Sequence, residues 1–327
     1  MRIAYLIGNG FDLKQGLKTS YSSFYEFYNT VSDDKDCVKE IKSAITGDIE
    51  TWADLEETFG QYTSNIPTAD DCLFVYYDLV KYLNEYLTTE EDRIDKSAYD
   101  SDILYQDLIS PEHYLTPVEQ SQLQPMLNRF LTAAPIHIDI LTFNYTKTIE
   151  KIIGEKFSDI EIGKKGSRSV YLRNIEHIHQ YLGDSLILGV NDISQIENSA
   201  FSDAEEIVEV IVKPENNIGQ GHGRDLFCKN TIATANLIVV FGTSIGNTDK
   251  TWWEQIGNRI GPDCSVILFD RGTEVAGEHV SKKRPYKRKI QNRFLSIAGL
   301  DGAGAEAKRK YLYVAITDRY FDLQESE

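Results

Sequence analysis

The chain has no long hydrophobic run and no leader-like start. No segment reaches the ~18 uninterrupted apolar residues of a membrane-spanning helix. The first residues, Met1-Arg2-Ile3, open no apolar signal segment with a small-residue cleavage site. We therefore expect a cytoplasmic protein with no membrane partner.

Cysteine is scarce, and positive charge is outnumbered. The four cysteines, Cys37, Cys72, Cys228 and Cys264, lack the spacing of a structural zinc ribbon, so we expect reduced, buried thiols. The 34 Lys and Arg residues against 51 Asp and Glu give a net charge of -17, which disfavours general nucleic-acid binding. Residues 282–289 are a local exception with six cations. We interpret them as a solvated loop and helix start, with a polyanion or an acidic subunit as the alternative partner.

Continuous apolar runs predict a parallel α/β sheet flanked by helices. Apolarity without alternation is typical of strands that are covered on both faces. The runs are 3–7, 136–143, 186–188, 237–241, 266–269 and 311–316. About 130 residues separate the first two runs, far more than a simple crossover needs. We predict a nucleotide-binding domain formed by residues 1–32 and 133–327, with a helical insertion over 33–132.

Helical spacing and composition predict the segments between the strands. Residues 71–87 carry one apolar stripe, and residues 285–295 form a second helix. A third helix spans 248–260, with Thr248 as the N-cap and Asp249 in the first turn. The acidic segment 90–107 is predicted to be a mobile connection, and the glycine-rich segment 219–223 a flexible lid.

Glycines and polar residues follow four of the predicted strands. Ligands of open α/β sheets bind beyond the carboxyl ends of the strands, so we expect these segments to form one site. They are Gly8-Asn9-Gly10-Phe11-Asp12, Thr142-Phe143-Asn144-Tyr145-Thr146, Gly242-Thr243-Ser244-Ile245-Gly246 and Asp270-Arg271-Gly272. Asp270 has the position of an acidic residue that accepts ribose hydroxyls.

The first of these segments predicts a phosphate-sized loop. Gly8 and Gly10 allow positive φ and a close approach of the backbone to a ligand. The N–H groups of a following helix would add an anion site. The third glycine of a full dinucleotide fingerprint is absent, because Leu13 takes its place. A tight turn without ligand, and Asp12 as a helix cap, are the structural alternatives.

Three further side chains have both a functional and a structural interpretation. His179 is either catalytic or a hydrogen-bonded core histidine, and in an extended segment His177 would lie on the same side. Asn144 contacts a ligand or satisfies its own turn. Lys213 reaches a phosphate or lies exposed. A metal site on the two histidines would need a third ligand that nothing in the sequence identifies.

The order of the motifs resembles the AbiH family of bacterial abortive-infection proteins. The motifs are Gly8-Asn9-Gly10-Phe11-Asp12, Gly16-Leu17-Lys18-Thr19-Ser20-Tyr21, Trp52-x-x-Leu55-Glu56, Thr142-Phe143-Asn144-Tyr145, His177-Ile178-His179, Gly189-Val190-Asn191-Asp192 and Gly242-Thr243-Ser244. That family is in turn similar to sirtuins, whose nicotinamide adenine dinucleotide (NAD) site uses a glycine-rich loop, a Thr-x-Asn turn, a His-Gly and a Gly-Thr-Ser. The resemblance implies a sirtuin-like, Rossmann-like fold that takes NAD.

The chain departs from the sirtuin pattern at three positions. The serine of the loop is Asp12, the acidic residue after Thr-x-Asn is Thr146, and the glycine after the active histidine is Gln180. The sirtuin cysteine ribbon is absent. The resemblance therefore implies NAD hydrolysis without zinc rather than protein deacylation.

Three functions follow as hypotheses. The first is an antiphage NAD glycohydrolase that releases nicotinamide without a metal, with Asn144 and His179 as catalytic residues. Its predicted ligand contacts are Gly8, Asn9, Gly10, Phe11, Asp12, Thr142, His177, Gly242, Thr243, Ser244 and Asp270. The second is a non-catalytic sensor of NAD or a related nucleotide that signals to a partner, and the third is a metal-dependent nuclease. A homo-oligomer and a phage-derived activator are further partners to test.

Overall fold

Seven strands form one sheet in the computed structural model, which describes residues 1–31, 35–130, 134–154, 159–183, 185–221, 223–275 and 280–324. The strands are β1 (Arg2–Ile7), β2 (Ile136–Thr142), β3 (Ile160–Lys165), β4 (Arg168–His177), β5 (Leu237–Phe241), β6 (Ser265–Asp270) and β7 (Leu312–Ile316). Their order is β3-β4-β2-β1-β5-β6-β7, and only the β3–β4 pair is antiparallel. The predicted α/β class is confirmed.

The parallel strands have the order of doubly wound α/β folds. Numbered along the chain without β3, they read 3-2-1-4-5-6 across the sheet. In this order the winding reverses between the first and fourth strands, which here are β1 and β5. The carboxyl ends of β1 and β5, at Ile7 and Phe241, therefore border the crevice where such folds bind ligands.

Five of the six predicted strands are present, and one prediction is wrong. Residues 186–188 are buried but form no strand, because their backbone groups bond elsewhere: Ile187 N–H donates to His179 O, and Leu188 O accepts from Tyr76 Oη. The search for continuous apolar runs missed β3 and β4. Both strands are only partly buried and interrupt their apolar residues with polar ones, as in Arg168–His177.

Fifteen α-helices are found in the described residues, seven of them between β1 and β2. They are α1 (Gly10–Lys14), α2 (Tyr21–Tyr28), α3 (Asp36–Gly47), α4 (Leu55–Tyr62), α5 (Ala69–Glu91), α6 (Ser101–Ile109), α7 (Pro117–Phe130), α8 (Thr148–Ile153), α9 (Ser199–Ser202), α10 (Glu205–Ile211), α11 (Lys213–Gln220), α12 (Arg224–Thr234), α13 (Lys250–Arg259), α14 (Val280–Ile297) and α15 (Gly302–Arg309). The predicted helix 71–87 lies within α5, and the helix 285–295 lies within α14.

Four local predictions need correction. Segment 90–107 is not a free connection, because α6 buries Leu104 and Leu108. The third helix begins at Lys250, after Asp249, rather than at Thr248. Residues 282–289 all lie inside α14. Residues 219 and 220 end α11, whereas position 222 of the predicted lid lies outside the described residues.

Alternate residues of the strands face two different cores. On one face, residues such as Ile3, Tyr5 and Val239 pack against α6, α7 and α8. On the other face, residues such as Leu6 and Val240 pack against α12, α13 and α14. Burial of both faces explains why the strands β1 and β5 carry no polar alternation.

A third core is helical and lies beside the sheet. Helices α2, α3, α4 and α5 of the insertion pack there with α9, α10 and the segment 186–190. Helices α6 and α7, which also precede β2, pack on the sheet instead. The domain boundaries near residues 32 and 132 stay a prediction.

The structure also bears on the cysteines and on the question of membrane-spanning helices. All four cysteines are free thiols; three are buried, whereas Cys37 is partly exposed, contrary to the prediction. Within the described ranges, no helix combines the length and apolarity needed to cross a membrane.

Candidate functional site

A cleft of about 790 Å³ opens at the carboxyl ends of β1, β2, β5 and β6. Residues from all four predicted strand-end segments line it, and helices α4 and α5 close one side. The predicted site residues on its wall are Gly8, Asn9, Gly10, Asp12, Asn144, His179, Gly242, Thr243, Ser244 and Asp270. Segments that lie far apart in the chain, such as those of Gly8 and Asp270, thus meet at one edge of the sheet, as is usual in doubly wound folds.

Three predicted contacts lie behind this wall. The Phe11 ring packs in the core against Phe321, with centroids 5.3 Å apart. Thr142 Oγ1 donates to Ile7 O and accepts from the backbone N–H of Asn144. His177 Nδ1 donates to Asn144 O at 2.7 Å. Thr142 and His177 therefore hold the Asn144 turn, while their side chains stay outside the cleft lining.

The glycines of the first loop serve a contact between strand ends. A Cβ on Gly8 would lie 2.7 Å from Gly242 O, and one on Gly10 would lie 2.5 Å from Gly242 Cα. The expectation of positive φ at Gly8 and Gly10 is wrong, because Gly242 is the residue with φ of +70°. The N–H groups of Gly8 and Gly10 already donate to Phe241 O and Gly242 O at 2.9 and 2.8 Å. A phosphate-binding role for this loop stays a prediction.

Asp12 and Asn144 form a buried pair in the wall of the cleft. Asn144 Nδ2 donates to Asp12 Oδ1 at 3.0 Å, and Thr146 Oγ1 donates to Asp12 Oδ2. Burial raises the pKa of Asp12 to about 6, although hydrogen bonds from Thr146, Thr148 and Asn144 partly oppose it. The Asn144 amide also has an acceptor, Oδ1. Oδ1 is buried and has no hydrogen-bond partner among the described residues.

Two departures from the sirtuin pattern are joined by that hydrogen bond. Asp12 supplies the carboxylate and Thr146 supplies the hydroxyl. A carboxylate at both positions would place two buried anions side by side. Thr146 therefore gives the buried Asp12 carboxyl a donor instead of a second anion.

The third departure keeps the backbone of a glycine. Gln180 has φ of +68°, in the left-handed region that a glycine adopts without steric cost. Its side chain is buried, and its Nε2 donates to Gln220 Oε1 at 2.7 Å. The turn after His179 thus has a glycine-like conformation without a glycine.

His179 is oriented by Asp249. Its Nε2 lies 2.7 Å from Asp249 Oδ1, so Nε2 carries the proton and donates it. Burial and the nearby Lys213 cation lower the pKa of His179 below its ordinary value. The other nitrogen, Nδ1, is buried and lacks a partner in the part of the chain that the structure describes. It is therefore a second buried acceptor, on a residue that lines the cleft.

Lys213 is buried rather than exposed, contrary to one of its two predicted interpretations. Its Nζ contacts Glu56 Oε2 at 2.7 Å and Asp249 Oδ1 at 3.0 Å, and it lies 3.4 Å from His179 Nε2. Burial raises the pKa of Glu56 to about 7, against the opposing effect of Lys213. Burial alone would lower the pKa of Lys213 and raise that of Asp249. The attraction between the two charges reverses both shifts.

Sequence reasoning missed Glu56 and Asp249 as site residues. Both line the cleft, yet Glu56 comes from the helical insertion and Asp249 resembled an ordinary first-turn acid. The one available signal was a lone lysine, Lys213, directly after the apolar end of α10. A cation at such a position needs buried anions as partners.

The opposite end of the cleft is lined by Asp270, Arg271 and Tyr286. Asp270 Oδ1 accepts from the Gly272 N–H at 2.7 Å and from Tyr286 Oη at 2.8 Å. Tyr286 lies in the basic segment 282–289, which the sequence did not connect with the site. Two cations of that segment form ion pairs with acidic side chains, namely Lys287 with Glu119 and Lys289 with Glu274.

A metal centre finds no ligand set in the described ranges of the chain. No group of three His, Cys, Asp or Glu side chains there is placed to hold an ion. Asp192, which the nuclease hypothesis would use, caps a 3₁₀ turn by accepting from the Ser194 N–H at 2.9 Å.

The motif order that surrounds the cleft matches one family of known proteins. Comparison with curated proteins found no match. The sequence model described as bacteriophage abortive infection AbiH matches residues 4–270, from β1 to the last residue of β6. This range contains Asn9, Asn144, His179 and Ser244, whereas Arg271 and Tyr286 lie beyond it. By this match over most of its length, the chain belongs to the AbiH family of bacteriophage abortive-infection proteins.

Proposed function

We propose that this AbiH protein defends against phage as an NAD glycohydrolase that uses a sirtuin-like, Rossmann-like cleft. One observation carries the proposal: Asn144 and His179 both line one cleft, and each has a buried acceptor, Oδ1 and Nδ1, without a partner among the described residues. The strand order also supports it, because doubly wound sheets bind dinucleotides at this point of reversal.

Hydrolysis needs one proton acceptor and one water molecule. The bond between ribose C1′ and the nicotinamide nitrogen breaks, and nicotinamide leaves as a neutral molecule with the electron pair. Water adds its oxygen to C1′ and gives one proton to His179 Nδ1, which passes it to solvent. Asp249 stabilises the imidazolium that forms for that moment. Asn144 Oδ1 accepts from the water or from a ribose hydroxyl, and so orients the reacting end.

The remaining wall supplies contacts for the rest of the dinucleotide. Thr243 Oγ1 is buried without a described partner, and Ser244 is exposed beside it. Arg271 brings a cation to the side where Asp270 would accept the adenosine ribose. Since the Gly8 and Gly10 N–H groups are engaged, we assign the pyrophosphate to Thr243 and Arg271, beside Asn9, whose side-chain amide is held by Thr19.

The test follows nicotinamide release from NAD by purified protein. We expect His179→Ala and Asn144→Ala each to reduce the rate by about 10²- to 10⁴-fold, the usual contribution of a positioned acid or base. His113→Ala is the matched control, because His113 is exposed and outside the cleft lining. The assay is repeated with lysate from phage-infected bacteria to supply an activator. Undiminished release by both variants, checked for folding by thermal melting, contradicts the proposal.

A nucleotide sensor is the second candidate, and the insertion favours it. Tyr21, Asp54, Glu56 and Leu83, all from the region between β1 and β2, line the cleft. Occupancy would therefore act directly on the helical core. Calorimetry that shows NAD binding to wild type, with no nicotinamide released even with infected lysate, would favour the sensor over the hydrolase.

A further inference from the structure

We infer that Lys213 is a positioning residue, which holds the Asp249 carboxylate so that His179 keeps its proton on Nε2 and leaves Nδ1 free. The inference deepens the proposed function and rests on it, because His179 matters there as the proton acceptor. Lys213 is not part of the cleft lining, so it acts through Asp249 rather than by touching a ligand.

Lys213 joins three separate parts of the fold. Lys213 is the first residue of α11, Glu56 belongs to α4 of the insertion, and Asp249 precedes α13. Nζ lies 2.7 Å from Glu56 Oε2 and 3.0 Å from Asp249 Oδ1, and Lys213 is only 3% exposed. Because Asp249 Oδ1 serves both Lys213 and His179, the cation competes with the imidazole for the same negative charge.

The backbone around Lys213 is fixed by the motif Gly189-Val190-Asn191-Asp192, which the proposed function leaves without a role. A Cβ on Gly189 would lie 1.9 Å from Ile211 O, so only glycine allows this approach. Val190 N–H donates to Ile211 O, and Lys213 N–H donates to Val190 O, both at 2.9 Å. Asn191 Oδ1 accepts from the Thr251 N–H at 2.9 Å. The motif thereby fixes Lys213 and the start of α13 relative to each other.

The charges around the network determine what Lys213 does. Lys213 and Asp249 face His179, and Asp225 adds a negative charge from α12. Glu56 faces Lys213, with Asp54 near Glu56. Removing the cation leaves the Asp249 and Asp225 charges acting on His179 alone. The imidazole then takes up a second proton at a higher pH and loses its free Nδ1.

The experiment titrates His179 by NMR in protein with ¹⁵N-labelled histidine, with its signals assigned by their loss in His179→Gln. Lys213→Met alone leaves Glu56 as an unpaired buried carboxylate, which endangers the fold. The double variant Lys213→Met/Glu56→Gln removes both charges at once and is the main test. Lys39→Met, whose lysine forms an exposed pair with Asp36, is the matched control.

In the double variant we expect the His179 pKa to rise and Nδ1 to be protonated at a pH where the wild type is neutral. Nicotinamide release should fall about 10- to 100-fold at neutral pH, as for groups that orient a catalytic ligand. Release should recover as the pH increases, because the imidazole becomes neutral again; a merely structural role would give no such recovery. The acid limb of the pH–rate profile moves to higher pH by the same shift.

A folded double variant whose His179 titrates like wild type overturns the inference. A second outcome is that the His179 pKa shifts in the double variant, but neither the wild type nor any variant releases nicotinamide. In that case Lys213 keeps its positioning role, and the proposed hydrolase activity is rejected instead. Lys39→Met must leave both measurements unchanged, since a shift there would attribute the effect to net charge.

Discussion

Asp12 is a carboxyl group that the fold buries against its ordinary preference for water. It is 1% exposed and is held by hydrogen bonds from Asn144 and Thr146. Its raised pKa means that the folded state binds a proton more tightly than the unfolded chain does. At neutral pH the buried Asp12 therefore lowers the stability of the fold, while its hydrogen bond fixes the Asn144 amide.

The pH dependence of stability should report this group. With pKa values of 3.8 in the unfolded chain and about 6 in the fold, Asp12 favours the folded state fully below pH 3.8. This contribution is lost as the pH rises through 6, and it amounts to about 3 kcal/mol. Relative to wild type, Asp12→Asn should therefore gain stability between pH 4 and pH 7, measured by urea unfolding. Asp70→Asn, an exposed site on α5, controls for net charge. An Asp12→Asn difference that is constant with pH contradicts the prediction.

At the scale of elements, the ends of β1 and β5 are joined by glycine backbone. Gly10 lies directly against Gly242, so the two loops at the base of the cleft pack without side chains between them. The Gly8 and Gly10 N–H groups donate to Phe241 O and Gly242 O, so hydrogen bonds between the two segments continue past the last paired residue, Ile7. The base of the cleft is consequently a rigid continuation of the sheet.

Gly10→Ala tests this contact. The new Cβ would lie 2.5 Å from Gly242 Cα, so the loops must separate. We expect the free energy of unfolding to fall by about 1–3 kcal/mol, the range for overpacking. Gly304→Ala is the matched control: no atom lies within 4 Å of its Cβ position on exposed α15, and alanine should raise stability by about 0.5–1 kcal/mol. Equal stability of Gly10→Ala and wild type would show that the loops are not in contact.

At the scale of the whole molecule, three cores are connected through the cleft. Tyr145 follows β2 yet packs in the helical core, and its hydroxyl donates to Glu56 Oε1 at 3.3 Å. The Lys213 network joins the same helical core to the start of α13. We expect a chain connected in this way to unfold in one step, because the helical core and the core around α13 cannot separate without leaving buried charges unpaired.

The three tryptophans allow that cooperativity to be measured. Trp52 lies in the helical core, whereas Trp252 and Trp253 lie on one face of the sheet. Within the variant Trp52→Phe, and within Trp252→Phe/Trp253→Phe, we expect the fluorescence midpoint in urea to coincide with that of far-ultraviolet circular dichroism. Midpoints that separate in either variant would show that the insertion and the sheet unfold independently.

The sequence predicted the molecule best where chemistry is local to a strand. Buried strands such as β1 and β5 announce themselves by continuous apolarity, and the polar residues after them meet because parallel strands share an edge. This reasoning predicted Asn144 at the cleft, whereas His179 follows β4, a strand that the apolar runs did not predict. The same reasoning failed for β4, because polar residues interrupt its apolar ones. It also failed for Gly10, whose role depends on contact with a residue 232 positions away.

The buried charges were beyond prediction for a related reason. Nothing in the residues adjacent to Lys213 shows that Glu56 and Asp249 surround it, because the contact arises from three elements that meet only in the fold. The hydrogen bond between Asp12 and Thr146 is another contact of this kind, because 134 positions separate the two residues in the chain.

Two buried acceptor atoms, on residues that line the cleft, also limit which ligands the cleft can bind well. Asn144 Oδ1 and His179 Nδ1 can be satisfied only by a molecule that brings O–H or N–H groups to them. A ligand of the same shape that carries only ether or ketone oxygens would displace water and leave both atoms without a hydrogen bond. The free-energy cost would be about 1–3 kcal/mol for each atom. We therefore expect the cleft to prefer ligands that donate hydrogen bonds to these two atoms over ligands of the same shape that cannot donate.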